Sequence, residues 1–253
     1  MLLKKFAVSM TLAASALGFS TGAQATAVAL ELALVVDVSG SVSNNEYNLQ
    51  KLGYVNAFKD ATIQSNISTL TGGIAVSYIE WSGAAQQAIK VGWTHITDAV
   101  SANAFADAIA AATRAYSGLT APGNAITYAT NSIFTNLFTG ARAVIDVSGD
   151  GRENDGTNTA AARDAALAAG IDTINGLAIL TDDAGLGTWY NNNIKGGSNA
   201  FVVAAANFQD FEDAVKTKIG REIRDVPEPG SLALLGLALA GLVAVNRRRS
   251  VLR

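Results

Sequence analysis

The run "LELALVVDV" at residues 30–38 is the feature that most restricts how this chain can fold. It is apolar and rich in β-branched residues at consecutive positions, which is typical of a strand buried on both faces at the centre of a parallel sheet. Strand-like and helix-like segments alternate after it, in the order β-α-β-β-α-α-β-α-β-(α)-β-α. This alternation predicts a mostly parallel central sheet with helices on both faces, a three-layer, Rossmann-like α/β fold.

Two further patterns give the predicted fold its details. The link between "GGIAVSYIEW" (72–81) and "AQQAIKVGWTHI" (85–96) is too short for a parallel crossover, which predicts an antiparallel hairpin and one antiparallel edge strand. Apolar residues at helical spacing predict one helix over residues 44–63, with Leu52 on its buried face, and another over residues 122–138, with Leu137 on its buried face.

Composition narrows the chemistry that is open to the chain. It has 253 residues, enough for one sizeable domain, and no cysteine, so disulfides, thiolate metal sites and a thiol nucleophile are excluded. His95 is the one histidine, which argues against a histidine-rich metal site and against Ser-His-Asp catalysis.

The N-terminal segment has the features of a signal peptide. Lys4 and Lys5 precede the apolar run "FAVSMTLAASALGF", and the small residues "AQA" follow it. We therefore expect residues 1–25 to direct export through the inner membrane, with cleavage by signal peptidase after Ala25.

The C-terminal segment, residues 226–253, has three parts in a fixed order. Pro227, Glu228 and Pro229 come first, then an apolar run from Gly230 to Val245, and then an arginine cluster. The apolar run is slightly shorter than the ~20 residues of an ordinary spanning helix. The segment closely resembles the PEP-CTERM sorting tag of Gram-negative bacteria, which implies a short transmembrane anchor, transient anchoring in the inner membrane and cleavage by an exosortase. The alternative is a permanent tail anchor.

Without these two ends, the chain is acidic. Residues 26–227 carry 12 basic and 20 acidic side chains, a formal charge of −8. An acidic surface argues against nucleic acid and against anionic lipid as partners. Residues 26–225 are therefore expected to form one exported domain of the cell envelope, the cell surface or the extracellular matrix.

Oxygen-bearing side chains collect where the strands of this domain end. Asp37 ends the first strand, Ser39 and Ser41 follow it, Asp150 follows "AVIDVSG", and Thr120 precedes a predicted helix. In a parallel sheet, ligands bind beyond the carboxyl ends of the strands. A donor set of two carboxylates and three hydroxyls favours a hard cation, Mg²⁺ or else Mn²⁺ or Ca²⁺, over Zn²⁺ or Cu²⁺.

The stretches "DVSGSVS", "TAPGNAI" and "VSGDG" resemble the three loops of the metal-ion-dependent adhesion site (MIDAS) of von Willebrand factor A (vWA) domains. The resemblance extends over roughly residues 29–224. The stretch "EWSGAAQQAIKVGWTHI" (80–96) is similar to a bacterial subfamily of these domains that has no assigned activity. The resemblance to vWA domains implies the sheet order 3-2-1-4-5-6, counting the six main strands along the chain. It also implies that Asp37, Ser39, Ser41, Thr120 and Asp150 are metal ligands.

Two positions depart from the family pattern. Pro122 stands where a threonine is frequent in the second loop, and Gly149 stands where a threonine often precedes the aspartate of the third loop. Neither position is a predicted ligand. Because both departures lie next to predicted ligands, they bear on where Thr120 and Asp150 are placed within their loops.

The individual motifs also have simpler interpretations. Asp37 is a possible helix cap, with Ser39 and Ser41 as turn residues. Asp146 is better explained as a residue that supports the predicted ligands, or as a hydrogen-bonded strand residue, than as part of an EF-hand, because Thr157 stands where that loop needs a glutamate. Asp182 and Asp183 follow the fifth strand and are interpreted as a solvated loop. The alternative is that they line the same rim as the predicted ligands.

Three functions remain open at this point. The first, and the favoured one, is a metal-dependent adhesion-type module that binds a carboxylate of a protein or of an acidic polymer. The second is a structural exopolysaccharide-matrix protein in which the metal only stabilises the fold. The third is a metal-assisted hydrolase, which is disfavoured because no general base accompanies the predicted ligands.

Overall fold

The computed structural model describes residues 25–225. Predictions for the rest of the chain, including the signal peptide before Ala25, Pro227, Glu228, Pro229, the apolar run and the arginine cluster, lie outside the described residues. Within residues 25–225, none of the helices has the length and apolarity needed to cross a membrane.

Nine strands and seven helices make up this part of the chain. The strands are β1 (Thr26–Val28), β2 (Leu30–Asp37), β3 (Ile74–Trp81), β4 (Gln87–Ile96), β5 (Phe138–Gly140), β6 (Ala143–Gly149), β7 (Thr173–Ile179), β8 (Gly196–Gly197) and β9 (Val202–Ala205). The helices are α1 (Asn44–Lys59), α2 (Ala61–Thr69), α3 (Ala99–Ala111), α4 (Pro122–Phe134), α5 (Thr159–Ala169), α6 (Leu186–Asn193) and α7 (Phe211–Arg224).

The main sheet has the architecture that the sequence predicts. The six main strands lie in the order β4-β3-β2-β6-β7-β9, which is the predicted order 3-2-1-4-5-6. β3 and β4 form the predicted antiparallel hairpin, and the other neighbours in this order are parallel. The structure adds short pairings that the sequence did not predict. β8 pairs antiparallel with β7, and β1 and β5 form a separate parallel pair.

Helices cover both faces of the sheet, so its central strand is buried on both sides. Side chains of β2 alternate between two hydrophobic clusters, with Leu32 and Leu34 on one face and Ala33 and Val35 on the other. The first face packs against α1, α2, α3 and α7, and the second against α4, α5 and α6. This two-sided burial is the reason for the uninterrupted apolar run in β2.

The predicted helix over residues 44–63 is divided at Asp60. The backbone of Asp60 is extended, and its carboxylate accepts hydrogen bonds from the N–H groups of Thr62 and Ile63, so it caps a second helix. An aspartate that can cap a new helix competes with continuation of the first one. The prediction for Leu52 was also wrong, because its side chain is 49% exposed.

The predicted helix over residues 122–138 ends early, at Phe134. Asn136 accepts a hydrogen bond from the backbone N–H of Phe138 and donates one to Glu31, which turns the chain toward β5. Leu137 is consequently 72% exposed, and the prediction that it is buried was wrong. A local side-chain bond and strand pairing prevail here over helical periodicity.

Three fully buried charged side chains lie between the sheet and α7. Lys218 forms ion pairs with Asp146 and with Glu222, the latter at 2.9 Å between Nζ and Oε1. Burial raises the pKa of the Asp146 carboxyl, and the Lys218 ammonium partly opposes that rise. Asp146 is therefore an ion-paired strand residue of the core.

Replacement of Lys218 by methionine is expected to destabilise the fold by about 3–5 kcal/mol, because two buried carboxylates lose their cation. A carboxyl whose pKa is raised by folding stabilises the folded state below its unfolded pKa, and that contribution is lost as pH rises through the folded pKa. Because the Lys218 charge opposes the rise in the pKa of Asp146, its removal should raise that pKa further, and the variant then loses more stability than the parent as pH rises. The destabilisation should therefore be larger at pH 8 than at pH 5, as measured by urea unfolding.

Lys216→Met is the matched control, since Lys216 belongs to the same helix and forms a partly exposed pair with Glu212. It should cost less than about 1 kcal/mol at either pH. Equal losses in the two variants would contradict the assignment of Lys218 as the essential counter-ion.

Candidate metal centre

Asp37 is the last residue of β2, and its side chain is fully buried. Its Oδ1 accepts a hydrogen bond of 2.7 Å from the backbone N–H of Ser39. Its Oδ2 is buried and has no hydrogen-bond partner in the part of the chain that the structure describes. A buried carboxylate oxygen without a donor is unfavourable, so this atom is suited to a cation or to a bound water.

The first loop brings its two serines to the same place. Ser39 Oγ and Ser41 Oγ lie 3.2 Å apart, and the Ser41 hydroxyl donates a hydrogen bond of 2.7 Å to Asp150 Oδ1. The cap of α1 is Ser43, not Asp37, and it forms a reciprocal capping box with Glu46. The interpretation of Asp37 as a helix cap is therefore wrong, because Ser43 already supplies that cap.

The second loop is bonded directly to the first. The N–H of Gly40 donates to the carbonyl of Gly118 at 2.8 Å. The Ser82 hydroxyl, just after β3, accepts from the N–H of Gly118 at 2.7 Å and donates to the carbonyl of Leu119 at 2.9 Å. These bonds hold the backbone beside Thr120, whose side chain is nearly completely buried.

The third loop completes the set. Asp150 follows β6 directly, and Thr120 lies beside the turn after it, with its hydroxyl 3.7 Å from the point where a Cβ on Gly151 would stand. Asn154 joins the second and third loops: its side-chain oxygen accepts from the N–H of Thr120 at 2.8 Å, and its own N–H donates to the Thr120 carbonyl at 3.0 Å. Every pair of loops is thus connected by hydrogen bonds.

Neither carboxylate of this cluster forms an ion pair with a lysine, arginine or histidine side chain among the described residues. Burial raises the pKa of Asp37 to about 7, and the nearby charge of Asp150 adds to the rise. Burial also raises the pKa of Asp150, with further contributions from the carboxylates of Glu46 and Asp182. Arg114 lowers the pKa of Asp37, but by less than burial and Asp150 raise it. A divalent cation would offset the charge of both aspartates.

The donor chemistry fits a hard cation. Within residues 25–225, no group of three or more histidine, cysteine, aspartate or glutamate side chains is placed to hold a metal ion. The cluster instead offers two carboxylates with neutral hydroxyls, and Mg²⁺, Mn²⁺ and Ca²⁺ accept such oxygen ligands readily. The unpaired Oδ2 of Asp37 is the structural feature that an ion at this place would explain.

Tyr190, on α6, reaches this cluster although it belongs to none of the three loop motifs. A Cβ on Gly149 would lie 2.7 Å from both Asp37 Oδ2 and the Tyr190 hydroxyl, and a Cβ on Gly176 would lie 2.7 Å from the Tyr190 ring. The space that a threonine would need at position 149 is therefore taken by Tyr190 and Asp37. Glycine inside a strand often marks a place where another group approaches the backbone closely, so Gly149 and Gly176 were the sequence signal that pointed to such a contact.

The remaining candidates form no hydrogen bond with the predicted ligands among the described residues. His95 pairs with Ala75, which pairs with Glu31 at the start of β2, so the histidine is at the opposite end of the sheet from Asp37. Its Nε2 lies 2.7 Å from the carbonyl oxygen of Gly72. Asp183 forms a surface ion pair with Arg152, which agrees with a solvated loop.

Asp37→Asn is expected to stabilise the metal-free protein by about 1–3 kcal/mol at pH 8, because the change removes a buried charge while Oδ1 keeps its hydrogen bond. The same change should remove the stabilisation that Mg²⁺ gives to the parent protein. Thermal and urea unfolding with and without Mg²⁺ would measure both effects. Asp107→Asn, in an exposed ion pair with Lys59, is the control and should change little. A destabilised metal-free Asp37→Asn protein would contradict this account.

Comparison with solved structures places the fold among vWA domains. The chain resembles proximal thread matrix protein 1 from the mussel byssus (14% identity, 78% of this chain and 47% of that one, TM-score 0.59). It also resembles the pilus adhesin SpaC from Lactobacillus rhamnosus GG (14% identity, 78% and 31%, TM-score 0.55) and a von Willebrand factor type A protein from Catenulispora acidiphila (16% identity, 77% and 42%, TM-score 0.54).

The chain spans less than half the length of each of these three proteins. The mussel protein has also been solved with a zinc-occupied MIDAS motif (16% identity, 75% of this chain and 46% of that one, TM-score 0.51). Among curated proteins, none matches the sequence.

Two family models match the sequence itself. The PEP-CTERM protein-sorting motif matches residues 225–249, which confirms the predicted tag and marks the protein for export to the cell envelope, the cell surface or the extracellular matrix. The other model matches residues 27–227, most of the chain, and is described as "Protein of unknown function (DUF1194)". On the strength of that match, together with the vWA-type fold, the chain belongs to the DUF1194 family.

Proposed function

We propose that this protein is an exported binding module that holds a divalent cation at the ends of its central strands and uses the cation to bind an acidic group of a partner. The ligands are Asp37, Ser39, Ser41, Thr120 and Asp150, some of them acting through water. The observation that carries the proposal is the buried, unpaired Oδ2 of Asp37 beside a second carboxylate, within three mutually hydrogen-bonded loops.

The donor set determines what kind of partner the cation would accept. Two aspartates roughly neutralise a divalent ion, and the hydroxyls add coordination without adding charge. Five protein groups leave at least one position of an octahedral ion open, and an anionic oxygen is suited to that position. Mg²⁺ is the proposed ion, with Mn²⁺ and Ca²⁺ as alternatives. The partner is a protein or an acidic polymer that supplies a carboxylate.

The structural neighbours support an adhesive role. One is a pilus adhesin, another is a thread matrix protein, and the latter carries zinc at its MIDAS motif. The second candidate function is that of a structural matrix protein whose cation only stabilises the fold, and the mussel protein is the observation that favours it. The two functions differ in whether partner binding needs the cation.

An enzymatic role is less well supported. Metal-assisted hydrolysis needs a group that takes up a proton near the reacting atoms. His95, the one histidine of the chain, lies at the opposite end of the sheet from Asp37. The surrounding carboxylates of Glu46 and Asp182 raise the pKa of Asp150 by their charge, and no hydrogen bond joins either to the cluster.

Processing would yield the proposed module. Signal peptidase would cleave after Ala25 and an exosortase near Pro227, Glu228 and Pro229, so that residues 26–225 become the exported vWA domain. Mass spectrometry of surface material from the native organism should find an N-terminus near Thr26 and no arginine cluster. Recovery of the intact "NRRRS" segment there would argue for a permanent anchor instead.

The binding hypothesis predicts that partner capture requires the cation. Immobilised protein should retain a component of envelope extract in Mg²⁺, release it in excess chelator and retain it again after Mg²⁺ is restored. Thr120→Ala should weaken capture several-fold while changing the unfolding free energy by only about 1 kcal/mol, because it removes one neutral hydroxyl and one methyl group and leaves the backbone bonds of Thr120 in place. Asp107→Ala, remote from the site, should behave like the parent. Capture that persists in chelator would favour the structural-matrix function.

A further inference from the structure

Arg114 lies in residues 112–121, an irregular segment that joins α3 to α4 and ends beside Thr120. Its guanidinium donates five hydrogen bonds, four to carbonyl groups and one to an amide side chain. The acceptors are Val38 O (2.9 Å), Ser39 O (2.8 Å), Val42 O (2.7 Å), Tyr116 O (2.9 Å) and Asn44 Oδ1 (3.2 Å).

Three of these acceptors are backbone carbonyls of the first ligand loop, and all three lie within hydrogen-bond distance of the same atom, Nη2, whose two hydrogens they share. Because these carbonyls are directed toward Arg114, the loop presents other groups to the candidate metal centre. The N–H of Ser39 bonds to Asp37, and the hydroxyl of Ser41 bonds to Asp150. Arg114 thereby fixes the orientation in which the loop supplies its ligands.

Arg114 is itself held in place by neighbouring elements. The N–H of Ala115 donates to Glu80 Oε2 at 2.7 Å, and the hydroxyl of Tyr47 donates to Glu80 Oε1 at 2.8 Å. The guanidinium lies 5.8 Å from the centre of the Tyr47 ring. Glu80, which accepts both of these hydrogen bonds, is fully buried near the end of β3, so the contacts that hold Arg114 in place are anchored on the sheet. Little conformational entropy is then left for Arg114 to lose when a ligand binds.

We infer that Arg114 is a positioning residue that preorganises the loop of Asp37, Ser39 and Ser41 and couples it to the segment of Thr120. Within the described residues it bonds to none of the five predicted ligand side chains, and it acts through the backbone of the first loop. The inference rests on the proposed function, because it assumes that these loops hold a cation.

Coulomb's law and positioning predict opposite effects for loss of this side chain. The guanidinium of Arg114 bonds to the carbonyl of Ser39 at 2.8 Å, so its positive charge lies close to the predicted ligands and repels a cation bound there. By charge alone, Arg114→Ala should therefore strengthen the binding of a divalent cation. If the side chain acts by holding the loop, the same variant should weaken cation binding, and this difference in sign makes the inference testable.

The experiment is calorimetric titration of the full exported domain, residues 26–225, with Mg²⁺. Arg114→Ala should weaken the affinity by about tenfold or more, as loss of a group that orients metal ligands commonly does. Arg114→Lys, which keeps the charge but cannot make the planar set of bonds, should give a smaller loss. Millimolar guanidinium should restore part of the affinity of the alanine variant and leave the parent unchanged.

Lys51→Ala is the matched control. Lys51 also donates to a carbonyl of the same segment, that of Ala112 at 3.0 Å, and it also lies over the Tyr47 ring, but it makes no bond to the first loop. It should keep the parent's Mg²⁺ affinity within about twofold. An equal loss in Lys51→Ala would overturn the inference, since a general effect on the segment would then explain both variants.

The possible failures are distinguishable. A parent protein that binds no Mg²⁺, Mn²⁺ or Ca²⁺ would refute the proposed cation site itself. A parent that binds the ion, with Arg114→Ala binding it equally or more tightly, would refute only the role of Arg114. If circular dichroism shows that Arg114→Ala does not fold, the lysine variant decides: unchanged affinity in Arg114→Lys overturns the inference, and weakened affinity supports it.

Discussion

The parallel pairing of β2 with β3 and β6 is the constraint on which the rest of the site depends. Its register places Val36 opposite Ser148, so Asp37, the last residue of β2, lies beside Gly149, the last residue of β6. Asp150 is then the first residue of the loop that follows β6. On the other side, Asp37 pairs with Trp81, and Ser82 follows to organise the loop of Thr120. A shift by one residue would turn the Asp37 side chain to the opposite face of the sheet.

Asp37 and Asp146, two buried aspartates on the neighbouring strands β2 and β6, differ in how their negative charge is compensated. Asp146 has an internal cation, Lys218, and belongs to a core cluster that needs no ligand. Asp37 has Arg114 nearby, but the hydrogen bonds of Arg114 go to backbone carbonyls and to the Asn44 amide rather than to carboxylates. Folding thus leaves two partly uncompensated carboxylates at the end of the sheet. Such locally unfavourable electrostatics are typical of functional sites.

Much of this fold is readable from the sequence, because its main signals are local. Continuous apolarity in β2, the short hairpin link and the helical periodicities depend on neighbouring residues, and they predict the buried central strand and the antiparallel hairpin correctly. The order of the six main strands was implied by the resemblance to vWA domains, and the structure has that order. The errors also have local causes. Asp60 caps a new helix, and Asn136 turns the chain before Leu137, because single side-chain bonds outweigh weak periodicity.

The sequence by itself determined which residues have oxygen donors at strand ends, since an aspartate or serine after an apolar run is visible without coordinates. Only the tertiary structure decided how those donors are supported. Arg114 bonds to a loop more than 70 positions earlier in the chain, and Tyr190 reaches Asp37 across Gly176 and Gly149. Such contacts join residues that are remote in sequence through packing of whole elements, and no local pattern of residues encodes them.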